Sequence, residues 1–255
     1  MTVDVVLLFR GCFRGTTIPL ALAVGEDVGA EVYGFVDRLK RLVGKEMLER
    51  LDKVFEEALR DEIRVALNTD NLERGFPALV ERFWLRIAFS LVDLSNSIHT
   101  SLASGALTLA EFRGVVEELA KSLAKRLKSS GYKYADDLVY AMSILVERDL
   151  WIADRVARLG LEEFANRLTS RAPDAVLQFA AYSMYLAFAW TSATVAVLNI
   201  VREYSESNID ALARWSHEYA KEVEGYIDTL DLLLDDEVYS NLLELGIIKR
   251  GNIKR

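Results

Sequence analysis

The chain has 255 residues, 51% of them hydrophobic and 27% charged, with 39 acidic against 31 basic side chains and a net charge of −8. That balance suits a globular chain with a sizeable core and excludes a general nucleic-acid binder, whose surface would be basic overall. The single cysteine excludes an internal disulfide framework and fits a reducing cytoplasm; one Gln and one Cys amid many Glu, Arg and Leu resemble the composition of heat-adapted proteins.

Val3 to Phe9 (VDVVLLF) is short, β-branched at its start and followed by glycines, and is read as a strand. Thr16 to Val24 is either its hairpin partner or the loop into the first helix. Met1 to Phe9 carries no basic leader, so no signal peptide is expected. Cys12 stands two residues from both Arg10 and Arg14, which would lower its thiol pKa in an extended chain. With no Cys-x5-Arg spacing and no neighbouring base, it is read as a buried structural residue.

Helical spacing begins at Glu26, with Val28, Val32, Phe35, Val36, Leu39 and Val43 on one stripe ended by Gly44. Leu48, Leu51, Val54, Phe55, Ala58 and Leu59 continue in the next helix. Asn68 to Gly75 gathers turn residues, and Pro77 suits the first turn of a helix reaching about Ser101. The core stripe of that helix is Val80, Phe83, Trp84, Ile87, Leu91, Leu94, Ile98 and Leu102. Asp93, Asn96 and His99 lie off the stripe as a polar cluster; no Glu-x-x-His pair accompanies them, so no metal is expected.

Thr108-Leu-Ala-Glu111 is a capping box opening a helix with Leu109, Phe112, Val115, Val116, Leu119 and Leu123 inward. Lys121, Lys125, Arg126, Lys128 and Lys133 make its end basic. Those cations complement a helix C-terminus, and a phosphate-binding patch aided by Tyr132 and Tyr134 is the alternative. About Ala135 to Leu159 a helix buries Leu138, Ala141, Met142, Leu145, Ile152 and Val156. Asp149 falls inside that stripe, where a carboxylate needs a partner: it is a buried anchor of helix register or one wall of a polar pocket. Gly160 ends this helix, 161–168 is a connector with Phe164 inward, and Thr169 to Asp174 is a second break.

Ala175 to Val201 is a run without formal charge, ~40 Å long as a helix and long enough to span a bilayer. Its many alanines and its Gln, Asn, Ser and Thr argue instead for a helix wrapped by other helices. Gln178, Tyr182, Tyr185, Ala189, Ser192, Ala196 and Asn199 step by four and three, and so form one polar seam facing another helix or a cavity. Ser207-Asn-Ile-Asp210 is read as the cap of a helix burying Leu212, Trp215, Tyr219, Val223, Tyr226, Leu230 and Leu233, with His217 exposed. Asp235 starts a short helix ended by Gly246, and the tail 247–255 holds a Gly-Asn pair that permits a hairpin.

The expected fold is all-α: eight or nine helices around the central apolar helix 175–201, in a single domain 1–255. Subdivision, if any, falls near 68–77 and 169–174, with a small β element at 3–24. No phosphate loop, dinucleotide fingerprint, zinc motif or nucleophile elbow occurs, so the reading leans away from an enzyme, and neither cofactor nor metal is expected. A cytoplasmic helical interaction or scaffold protein is expected, as a homo-oligomer or as a subunit of a larger complex. Two alternatives stand beside it: a small-molecule or lipid-binding bundle lined by Gln178, Tyr182, Tyr185, Ser192 and Asp149, and local RNA or DNA binding through Lys121, Lys125, Arg126, Lys128 and Lys133.

Overall fold

The computed structural model of the protein describes residues 44–199 and 205–248. The strand, hairpin, Cys12 and first helix expected before residue 44 lie outside the described residues, as do the last two residues of the apolar run and the end of the tail. The fold is an all-α multi-helix bundle. Eight helices make up the described part: α1 (Lys45–Asn68), α2 (Leu72–Ala103), α3 (Leu109–Ser129), α4 (Ala135–Leu159), α5 (Leu161–Arg171), α6 (Pro173–Asn199), α7 (Glu206–Leu234) and α8 (Asp236–Glu244). No strand occurs among the described residues.

Local chemistry sets most boundaries. At Thr108 the capping box forms in full, the hydroxyl accepting from the Glu111 amide while the Glu111 carboxylate accepts from the Thr108 amide at 2.8 Å. Gly160, at φ 80, turns the chain between α4 and α5 through a conformation that side chains resist. Two expected breaks are narrower than the turn residues suggest. Asn71 caps α2 through the Arg74 amide, so the helix begins at Leu72 and Pro77 sits one turn inside it, where its missing N–H forgoes a single bond. Of the 169–174 break only Ala172 is non-helical, because Thr169 and Ser170 donate to the Ala165 and Arg167 carbonyls from within α5, and Pro173 takes the first position of α6.

The expected cap at Ser207 is a further correction. Helix α7 begins at Glu206, no side chain caps it, and Ser207 bonds to Ser205 instead. Asn208 turns its amide away, onto the Ala66, Leu67 and Thr69 carbonyls at 3.4, 3.2 and 2.9 Å. It thereby satisfies the free C-terminal carbonyls of α1 and ties the end of α1 to the start of α7.

Helix α6 is the centre. Every residue from Leu186 to Thr194 is buried, and Trp190, Phe179 and Phe188 are among the largest fully buried side chains. α6 packs most extensively on α7 and also touches α1 to α5. Over Pro173–Leu198 it is long and apolar enough to cross a membrane by length and composition. It is not enclosed along its whole length: Leu177 is 38% exposed, and Gln178 is exposed beside it.

Candidate interaction face on the α6–α7 hairpin

Helices α6 and α7 run as a hairpin, and one edge of their contact is a row of aromatic rings. Tyr226 and Tyr182 stack at 5.9 Å between centroids, Tyr182 meets Tyr219 at 6.2 Å, and Tyr219 meets Tyr185 at 5.4 Å. Phe76, from the first turns of α2, closes the far end. It lies parallel to Tyr219 at 6.0 Å and edge-on to Trp215 at 4.7 Å. Behind it, Phe188 and Phe83 carry the packing into the core. The spacing explains the row: 182 and 185 on α6, and 215, 219 and 226 on α7, recur at three, four and seven, so each set stays on one side of its helix.

These tyrosines are half-buried rather than core residues, although helical period alone places Tyr219 and Tyr226 with the core. None of the hydroxyls of Tyr182, Tyr185, Tyr219 and Tyr226 has a hydrogen-bond partner among the described residues, and none is sealed from solvent. Elsewhere in the bundle tyrosine hydroxyls are used: Tyr132 donates to Asp210 at 2.9 Å and Tyr140 to Glu224 at 2.7 Å. Burial, the neighbouring Tyr185 and the Glu218 carboxylate push Tyr219 up to about 12, and burial, Tyr182 and Glu222 raise Tyr226. Tyr219 and Tyr226 are therefore neutral at ordinary pH, and none of the four hydroxyls is sealed from solvent.

Of the other residues expected to share a pocket, Gln178 sits at the open end of this row, exposed. Ser192 is buried and donates to the Phe188 carbonyl at 2.7 Å. Asp149 is buried on α4, where both Nε and Nη2 of the equally buried Arg148 donate to its Oδ1, at 3.1 and 2.9 Å. The structure thus gathers Gln178, Tyr182 and Tyr185 on one edge and leaves Ser192 and Asp149 buried in the core, each with its own hydrogen-bond partner. A second polar feature of α6 escapes the seam altogether. Ser183, Trp190, Thr191 and Thr194 are buried on its inner side, and their hydroxyls and indole N–H have no partner among the described residues.

The basic end of α3 is partly neutralised. Lys128 pairs with Asp136 at 3.5 Å and Lys133 with Asp210, which raises the lysine's pKa through that hydrogen bond. Lys121 and Lys125 are exposed, while Arg126 is half-buried. Tyr132 and Tyr134 pack edge-on at 5.9 Å, and Lys133 lies over the Tyr134 ring. His217, expected on the solvent side, instead lies against the Tyr140 ring at 4.9 Å with Nδ1 2.9 Å from Asp137, because α4 covers that side of α7. Asp93 pairs with Arg50 of α1 rather than standing with Asn96 and His99, and no metal-holding group of three occurs among the described residues.

An open cleft of about 280 Å³ lies where α4, α7 and α8 meet, lined in part by Arg155, Arg158, Asp231 and Val238. Its guanidiniums are already engaged: Arg155 grips Asp231, which also accepts from the Trp151 indole at 2.7 Å, and Arg158 pairs with Asp154. The guanidiniums of that cleft are thus engaged within the bundle, whereas the tyrosine row keeps hydroxyls without a partner among the described residues. No protein-family model, curated protein or solved structure matches this chain, and the candidate site rests on its own geometry.

Proposed function

We propose that the protein works by association, as a helical interaction module whose binding face is the tyrosine row of α6 and α7. One observation carries the reading: four half-buried tyrosines in ring contact whose hydroxyls have no partner among the described residues. Tyrosine suits such a role because it offers a broad apolar ring and a donor at low conformational cost, and it is enriched among the residues that carry binding energy. The exposed Leu177 and Gln178 extend the surface by one turn of α6.

Photocrosslinking tests it. A photoreactive side chain is placed at Gln178, beside the row, and separately at exposed Leu85 of α2, and each protein is irradiated in a lysate of its host. Discrete crosslinked products from position 178 that are missing from position 85 support the reading. Equal yields at the two positions, or none at 178, overturn it.

A further inference from the structure

Resting on that reading, the charge around the row points to the chemistry of its partner: we infer that the face takes a polypeptide segment carrying arginine or lysine side chains. The α7 rim is acidic. Glu218 and Glu222 are exposed and close enough to raise the pKa of Tyr219 and Tyr226. On α6 the nearest charge is Asp174, exposed and one turn before Gln178, and the whole of Pro173–Asn199 contains no Lys or Arg. The cations of α7 nearest in sequence, Arg214 and Lys221, lie about a third of a turn further round the helix. An aromatic surface rimmed by carboxylates, on an α6 that carries no cation among its described residues, attracts a cation to the aromatic edge and holds it there against the rim.

Two features make a protein segment fit. The four rings follow one another in continuous contact along the hairpin edge, an elongated surface that a short chain segment can lie on. The unpaired hydroxyls offer donors to the carbonyls of such a chain, as a guanidinium or ammonium alone would not use them. A second copy of this chain is the poorer occupant, since two-fold pairing would bring Asp174, Glu218 and Glu222 against their own images.

The test uses the full chain with 3-fluorotyrosine at every tyrosine, the row's resonances being assigned from Tyr182→Phe and Tyr219→Phe. Three blocked octapeptides are titrated: alternating Arg-Ser, Glu-Ser and Leu-Ser. The Arg-Ser peptide is expected to shift the row's resonances, and its affinity to fall at least tenfold in Glu218→Lys/Glu222→Lys, whose sites are exposed and outside the core. Binding is also expected to weaken as salt is raised. If Arg-Ser leaves the resonances unmoved, or binds wild type and the charge-reversed variant alike, the cationic assignment is overturned. Shifts by Leu-Ser alone would overturn it while the interaction face stands. Failure of all three together with no crosslinking from position 178 would remove the face as well.

Discussion

Replacing Thr191 and Thr194 of α6 with valine should stabilise the protein. Both are fully buried, and both hydroxyls lack a partner among the described residues, whereas Ser192 between them donates to the Phe188 carbonyl. A buried hydroxyl without a hydrogen bond costs about 1–3 kcal/mol by mutational measures. Valine keeps the branched shape, so it opens no cavity, and its helix propensity is close to that of threonine. Each substitution is therefore expected to add about 1 kcal/mol, and the pair about 2 kcal/mol. In a chain of this size that raises Tm by roughly 4 °C. The assay is urea unfolding followed by circular dichroism, where the midpoint should move up with an unchanged slope. Ser183→Ala is a weaker test, because alanine alone improves helix propensity by about 0.5 kcal/mol. A loss of more than ~0.5 kcal/mol in Thr191→Val/Thr194→Val would refute the reasoning: the hydroxyls would then be bonded in solution, to internal water or to a polar ligand held within the bundle.

Asp149→Ala removes the carboxylate to which the fully buried Arg148 donates and should cost about 3–5 kcal/mol, while Arg148→Met/Asp149→Leu recovers much of that; a double-mutant cycle in urea with no coupling would show that the two charges do not depend on each other. Asn208→Ala leaves the last carbonyls of α1 unserved and should cost about 1–2 kcal/mol, and Asn208→Asp more, since a carboxylate would face three carbonyl oxygens; equal stability of the three proteins would contradict the tether. Burial first, and then Glu224 and Asp228, raise the pKa of Glu147 in the folded state above its unfolded value of 4.5. The folded state therefore binds that proton more readily, so the penalty is absent below the unfolded value and grows as pH rises through the folded one. Glu147→Gln should thus stabilise the protein slightly at pH 7 and not at pH 4; a benefit at pH 4 equal to that at pH 7 would contradict the sign.

Where sequence and structure part company, the cause is contact between elements distant in the chain. The stripes of α3 and α4 and the capping box at Thr108 are legible because each depends on residues within two turns of one another. Burial of Asp149 is legible for the same reason, being a matter of period. Its pairing with Arg148 is not, since neighbours on a helix point about 100° apart and only the surrounding core bends both side chains inward. Ser207 reads as a helix cap by local rules, yet it bonds to Ser205, and the amide of its neighbour Asn208 serves α1, some 140 residues earlier in the chain. The tyrosine row shows the same limit in reverse. Period assigns Tyr182 and Tyr185 to one edge of α6 and Tyr219 and Tyr226 to one side of α7, but it cannot tell a covered edge from an open one. That difference depends on where α2 ends its cover, and Phe76 ends it at Tyr219. Beyond that ring the hairpin edge is half-exposed and its hydroxyls have no partner among the described residues, so the candidate face follows from the placement of one phenylalanine as much as from the tyrosines themselves. Phe76→Ala should then uncover Trp215 and lengthen the exposed row as well as destabilise the core by about 3–5 kcal/mol. A blue shift in tryptophan emission, in place of the red shift that exposure brings, would show that α2 does not set the row's boundary.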